Sequence, residues 1–306
     1  MDGGTSTPYF TSSLPMKTRN PGESSGAVGA LCAISAAAAF STAGVIMRRV
    51  ELPAWDVSFW RSILMLLAVV PLMLWQWRAT RIDIRNGGGA LFASAAALAG
   101  SMIAFILALG LAPVANVLIV FGVTPFITAL LARLFLAEPL HRHTMLAMAA
   151  GAAGLVLSVA SSLQAGAAAG MALAAVVSLC ISANYVIVRR HRTIGMTPSL
   201  ALAGILAALV SLPFAHPPTI AVGDLPWLLA LGPGQLAVGL LLYMAALKRI
   251  PAGRAALLGL LELVLGPIWV WLVDGERPGT LTLVGGVVVI GSAAANVWLD
   301  SRRPAG

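Results

Sequence analysis

The sequence predicts an all-α integral membrane protein, with ten transmembrane helices in a 5+5 inverted-topology repeat. Three observations predict it: the composition, ten apolar windows of spanning length, and a self-similarity at an offset of 138 residues. Of the 306 residues, 59% are hydrophobic and 10% charged, and the mean hydropathy is +0.93. A soluble domain carries roughly a quarter charged residues, so this chain lacks the polar surface to cover a globule in water.

A bilayer-spanning helix needs about 20 apolar residues. Windows of that length fall at 27–47, 56–77, 88–109, 111–134, 143–161, 167–188, 197–215, 225–247, 251–272 and 279–298. Ahead of them the first 25 residues are polar and rich in Ser, Thr, Gly and Pro, and read as a disordered tail. The expected organisation is this tail over 1–25, a first five-helix repeat over 26–162, a second over 163–299 and a short tail over 300–306. Cys32 and Cys180 both fall inside apolar runs, so no disulfide framework is implied.

The net charge of +8 is a topology signal rather than a nucleic-acid footprint. With the N-terminus inside, the cytoplasmic segments carry fifteen Lys and Arg and the outer segments three, Arg48, Arg49 and Arg277. The positive-inside rule then places both termini in the cytoplasm. Arg61 lies within the second span, where it could pair with Asp56 or face an anion near the outer mouth.

The repeat is clearest between "FGVTPFITALLARLFLAE", Phe121 to Glu138, and "GLLELVLGPIWVWLVDGE", Gly259 to Glu276. They align without gaps at the offset of 138, which sets Thr124 on Glu262 and Ala137 on Gly275. Upstream, "VIMRR" matches "VIVRR" at an offset of 141. Five spans are an odd number, so the second half enters the membrane from the opposite side. That is the inverted repeat of secondary transporters, in which two similar halves exchange roles to expose a midplane site alternately to each side.

Few groups on these spans suit a polar solute. They are Phe40, Ser41 and Thr42 in the first, Asn116 and Thr124 in the fourth, and Asn184 and Tyr185 in the sixth. Gln235, Tyr243, Arg254, Glu262, Trp269 and Trp271 follow in the eighth and ninth. Ser41 and Thr42 compete with a second role, bonding their own helix backbone. Helix breaks are expected at Pro125, at the Gly232–Pro233–Gly234 run and at Pro267. Broken backbone is tolerated at membrane depth only beside protein or a water cavity. Small residues at four-residue spacing, Ala147 with Gly151 and Gly291 with Ala295, suit close packing of the fifth and tenth spans.

Glu262 stands at mid-depth of the ninth span, and an ionisable residue there is a functional hypothesis by default. Three roles fit it: binding the ammonium of an amino acid or other organic cation, carrying a coupling proton, or, protonated, bonding a neighbouring helix. Other chemistries find no residues. There is no phosphate loop for direct ATP drive. The "HRH" at 141–143 has no Cys or carboxylate cluster to complete a metal set. No Ser–His or paired-Asp constellation lies within the spans. The reading is therefore of a non-enzyme without cofactor or metal.

The repeat, the ten spans and the segments "LARLFLAEPL" and "VWLVDGERP" together resemble the EamA-type drug/metabolite transporter superfamily, over residues 27–298. In that family the fourth helix of each half ends on a Leu-Gly-Glu-like turn. Here the first copy has Ala137 where the second keeps Gly275. The family often has Glu-Pro at the ninth-span position; this chain has Glu262-Leu263 against Thr124-Pro125. The resemblance implies that the first, third, fourth, sixth, eighth and ninth helices line a central cavity, with the fifth and tenth packed behind it. It also implies a bacterial inner-membrane protein, monomer or homodimer. Members move amino acids, sugars, nucleotide sugars, purines and drugs, and the YddG-type amino-acid exporters are the nearest functional analogue. The expected function is export of small metabolites, amino acids first. The alternatives are an organic-cation or multidrug exporter and a channel-like facilitator.

Overall fold

The structure, a computed structural model, describes residues 21–112, 117, 120–159, 168–216, 223–275 and 280–301. Among them there are helices and no strands. Six helices are long and apolar enough to cross a membrane, and three shorter apolar ones accompany them.

The first window forms α1 (Pro21–Ser41) and α2 (Ala43–Met47). The two join at Thr42, where Ser41 Oγ and Thr42 Oγ1 donate to the carbonyls of Ala38 and Ala39 at 2.7 and 2.8 Å. Such back-bonding loosens the helix and bends it. The next helix is α3 (Ala54–Trp75). It is followed by α4 (Trp77–Leu111), which turns sharply at Gly88. The φ of +41° there suits a residue without Cβ. After α4 come α5 (Thr124–Leu136), α6 (Arg142–Val159), α7 (Ala168–Arg190) and α8 (Thr197–Ser211).

The eighth window is one irregular helix: α9 (Leu225–Leu229), a π-helical stretch (Ala230–Ala237) and α10 (Val238–Leu247). The π register surrounds Gly232, Pro233 and Gly234, and accommodates the proline ring and the hydrogen bond its missing N–H cannot make. Next come α11 (Ala252–Gly259), α12 (Leu261–Asp274) and α13 (Thr280–Ser301).

Two expected breaks are corrected. Pro125 is in the first turn of α5, where a missing N–H costs nothing, so it starts a helix rather than interrupting one. Pro267 lies inside α12, which runs through it. The ninth window breaks earlier, at Leu260. Leu260 corresponds at the 138 offset to Gly122, in the turn that precedes α5. The two halves thus break at the same place. They also end alike: Ala137 (φ +52°) closes α5, and Gly275 (φ +74°) closes α12, both left-handed.

The packing repeats in the same way. Helix α4 lies along α7, and its counterpart, the α9–π–α10 helix, lies along α1. Helix α5 meets α7, as α12 meets α1. Helix α3 packs on α8, α6 on α13, and α5 on α11. Each contact maps onto itself or onto another when the halves are exchanged, which is an approximate two-fold relation between them.

The α6–α13 seam is built from small residues. A side chain at Gly154 would strike the Gly285 carbonyl, and one at Gly151 would press on Leu260 and Ser292. Ala147 is buried. By contrast, a Cβ at Gly291 would meet nothing within 4 Å, and Gly291 and Ala295 face outward. A polar pair also crosses the seam, with Asn296 Nδ2 donating to Thr144 Oγ1 at 3.1 Å.

Candidate functional site

A cavity of about 80 Å³ opens where the two halves meet. Its walls come from α1, α3, α4, α7, α12 and the π-helical stretch with α10. Phe121, just ahead of α5, adds a further face. The apolar part is Leu98, Met102 and Phe105 of α4, Val177 and Ile181 of α7, and Leu236 and Leu240. Phe105 and Phe121 tilt together with ring centroids 6.4 Å apart. Phe40 reaches the cavity because Gly239 has no side chain: its ring occupies the space a Cβ there would need.

The polar part is small. Glu262, in the first turn of α12, lines the cavity. So does Arg61 of α3, which is 5% exposed. The charges are close enough to act on one another. Among the described residues, however, no hydrogen bond or ion pair joins them, and Glu262 has no such partner at all. Arg61 donates from Nη2 to Gln235 Oε1 at 3.3 Å, while its Nε is buried with no hydrogen-bond partner. Gln235 in turn donates from Nε2 to the Phe40 carbonyl at 3.3 Å. The π-helical stretch therefore carries the amide that ties α1 to α3. Gly232 brings the stretch against α3: a Cβ there would sit 3.0 Å from the Arg61 carbonyl.

Tyr185 lines the cavity too, and Tyr243 stacks behind it at 4.3 Å between centroids and 22° between planes. The Tyr243 hydroxyl is buried without a hydrogen-bond partner. Trp269 donates from Nε1 to Ser41 Oγ at 2.8 Å, joining α12 to α1 beside the cavity.

Of the residues the sequence singles out, Phe40, Tyr185 and Glu262 line the cavity, and Ser41, Tyr243 and Trp269 support its wall. Thr42 bonds its own helix. Thr124 and Asn184 are corrected to packing groups in this conformation. Thr124 Oγ1 donates to Ser178 Oγ at 3.1 Å, across the α5–α7 contact. Asn184 Nδ2 donates to the Ser94 carbonyl and Oγ at 3.0 and 2.9 Å, and Ser94 donates to Ser199 Oγ, so one amide ties α7, α4 and α8. Asn116 lies outside the described residues.

Arg61 and Gln235 complete the polar lining: the sequence offers Gln235 as a polar contact, and Arg61 as a pair for Asp56 or an anion-facing group. Arg61 carried a signal, lying deeper in its span than any other Lys or Arg. The neighbouring Asp56 hid it, yet Asp56 accepts the His216 backbone N–H at 2.8 Å instead. The expected lining set also left out the second span, to which Arg61 belongs.

A larger cavity, about 240 Å³, lies at one end of the bundle between Glu138, His141, Thr144, Arg189 and Arg254. It is a vestibule at helix ends rather than a midplane site. Its inner wall is a polar knot. Arg189 Nε pairs with Glu138 Oε1 at 2.6 Å, and Arg189 Nη1 donates to the Leu247 carbonyl at 3.2 Å. Glu138 Oε2 accepts the Ala252 N–H at 3.2 Å. An orphan carbonyl at the end of α10 and an orphan N–H at the start of α11 are thereby satisfied.

No curated protein matches the chain. Twenty-nine solved chains do. One, a crystal structure described only as that of a protein, is 19% identical and covers 91% of this chain and 100% of its own, with a TM-score of 0.78. At that identity the likeness shows the fold alone. The profile of the EamA-like transporter family matches twice, over residues 27–160 and 168–298, which are the two halves that the repeat and the packing define. With both halves matched and apolar helices of spanning length throughout, the chain is a multi-pass membrane protein that belongs to the EamA-like transporter family.

Proposed function

We propose that the chain is a secondary transporter that exports small ammonium-bearing metabolites, amino acids first, by alternating access through the cavity between its halves. One observation carries the reading: Glu262 faces a mid-depth cavity at the repeat interface with no partner among the described residues. A carboxylate kept in a span without a structural partner fits a group that waits for a cation, whether an ammonium or a coupling proton. The two-fold packing supports alternating access, because equivalent contacts on the two sides can exchange. The Glu138–Arg189 knot would then be one of the contacts that closes one side. Its end of the bundle is the cytoplasmic one by the positive-inside rule.

The size of the cavity favours a small solute. Drug-sized sites run to about 300–1,000 Å³, against about 80 Å³ here. That argues against the multidrug alternative. The apolar walls would accept varied side chains, because a hydrophobic pocket separates similar apolar groups weakly.

Counterflow in proteoliposomes tests the proposal. Labelled leucine or alanine should enter vesicles with saturation, and faster when the unlabelled amino acid is inside. Flux that rises linearly without saturation or counterflow would identify a facilitator of the channel kind and overturn the carrier reading.

A further inference from the structure

We infer that Arg61 is the carboxylate-binding residue of the cavity, so that with Glu262 opposite it the site selects solutes bearing both a carboxylate and an ammonium group. The inference rests on the transport reading above and narrows its substrate class to zwitterionic α-amino acids.

The argument starts from cost. A guanidinium inside a span is expensive unless its charge and its donors are met. Arg61 is buried at 5% exposure, and the protein meets it only in part. Its one hydrogen bond goes to a neutral amide, Gln235 Oε1, at the long distance of 3.3 Å. Its Nε is buried and unpartnered. No carboxylate among the described residues pairs with it: Asp56 accepts the His216 N–H, and Glu138 holds Arg189.

What remains open on Arg61 has a shape. The Nε–H and a terminal N–H of a guanidinium lie parallel and match the two oxygens of a carboxylate. Gln235 takes one proton of Nη2, the terminal nitrogen on the Nε side, and is itself anchored to the Phe40 carbonyl. The Nε–H of that fork has no partner, so the guanidinium is only partly filled.

Glu262 supplies the complementary half. It lines the same small cavity and does not touch Arg61. A solute with a positive and a negative end meets both charges at once. An amine lacking the carboxylate would satisfy Glu262 and leave Arg61 unpaired beside a second cation. A carboxylic acid lacking the amine would do the reverse. Selectivity then comes as much from these two penalties as from the attractions a zwitterion forms.

Competition against labelled leucine counterflow tests this, using the full chain in proteoliposomes. The competitors are unlabelled leucine, its decarboxylated analogue 3-methylbutylamine, and its deaminated analogue 4-methylpentanoate. The wild-type protein should prefer leucine to either analogue by about 10²-fold or more, as sites built to pair a polar group do. In Arg61→Gln that preference over the amine should collapse, with leucine affinity falling and amine affinity held or raised. Arg61→Lys, which keeps the charge and loses the fork, should fall between. In Glu262→Gln the preference over 4-methylpentanoate should collapse instead.

If Arg61→Gln keeps wild-type affinity and preference, the carboxylate assignment is overturned while the transport reading stands. Should Arg61→Gln not fold, Arg61→Lys with unchanged selectivity against the amine overturns it equally. A wild-type protein that carries the amine saturably and ignores leucine sinks the amino-acid reading itself.

Discussion

The two halves share one scaffold and use the same seam differently. In the first half, α5 meets α7 through a ladder of hydroxyls. Thr124 Oγ1 donates to Ser178 Oγ at 3.1 Å, and Thr128 Oγ1 to Ser182 Oγ at 2.9 Å. The serines pass the bonds on to the carbonyls of Val120 and Thr124 at 3.4 and 3.3 Å. In the second half, α12 meets α1 at the equivalent place. The 138 offset turns Thr124 into Glu262 and Thr128 into Gly266, and the 141 offset turns Ser178 into Ala37 and Ser182 into Ser41. Two of the four positions, one in each rung, have lost their side-chain oxygen. Ser41 accepts from Trp269 instead, and Glu262 is left to the cavity. A helix break precedes both Thr124 and Glu262, so both seams need polar groups near freed backbone. One seam satisfies that need internally and becomes structure. The other leaves it open, with Glu262 lining the cavity.

The largest effect should come from closing the second seam in the image of the first. The triple variant Ala37→Ser, Glu262→Thr, Gly266→Thr restores every rung. Space allows it at Gly266, where the nearest neighbour of a Cβ is the Ser41 carbonyl at 3.8 Å. Leucine counterflow should drop to the level of empty vesicles while thermal stability in detergent holds or rises. Retained counterflow would mean that the open seam is not what admits the solute.

Opening the first seam should do something smaller and different. Thr128→Val removes one rung with little change of volume, and leaves Ser182 bonded to the Thr124 carbonyl. Interhelical hydrogen bonds within membranes are worth about 0.6 kcal/mol on average and up to about 1.7. A loss of roughly 1 kcal/mol in unfolding free energy is expected, with leucine affinity unchanged. A shift in affinity larger than the stability change would place Thr128 in the solute path and undo the division between the seams.

Much of this division was legible in the sequence. Glu262 announces itself as an acid in an apolar run, and the gapless repeat aligns it with a threonine. The "GPGQ" run marks a disturbed helix but not its π-helical form, since glycine and proline state their backbone effects locally. The rest was not legible because it depends on partners distant in sequence. Thr124 and Asn184 look like solute ligands until Ser178 and Ser94 are brought to them across helix contacts. Arg61 reads equally as a structural pair with Asp56 or as an anion-facing group until the His216 backbone is seen to bond that carboxylate. The break at Leu260 has no residue-level signal, because leucine favours helix. Only the repeat, setting Leu260 on Gly122, points to it.

The smallest test concerns the ends of the seam helices, where the two copies adopt one backbone shape with different residues. Ala137 holds φ +52° and Gly275 φ +74°. A left-handed conformation costs a residue with Cβ roughly 1–2 kcal/mol relative to the right-handed form, and glycine avoids that cost. Glycine gives part of the gain back, because its unfolded chain is freer by about 0.4–1 kcal/mol. Ala137→Gly should therefore stabilise the protein by about 0.5–1 kcal/mol, and Gly275→Ala should destabilise it by a similar amount. Ala137 also leads directly into Glu138, which pairs with Arg189 and accepts the Ala252 N–H. Should Ala137→Gly weaken the fold, the alanine would be serving to stiffen the approach to that knot, and the two helix ends would differ in function as the two seams do. Thermal unfolding of both variants, side by side, decides it.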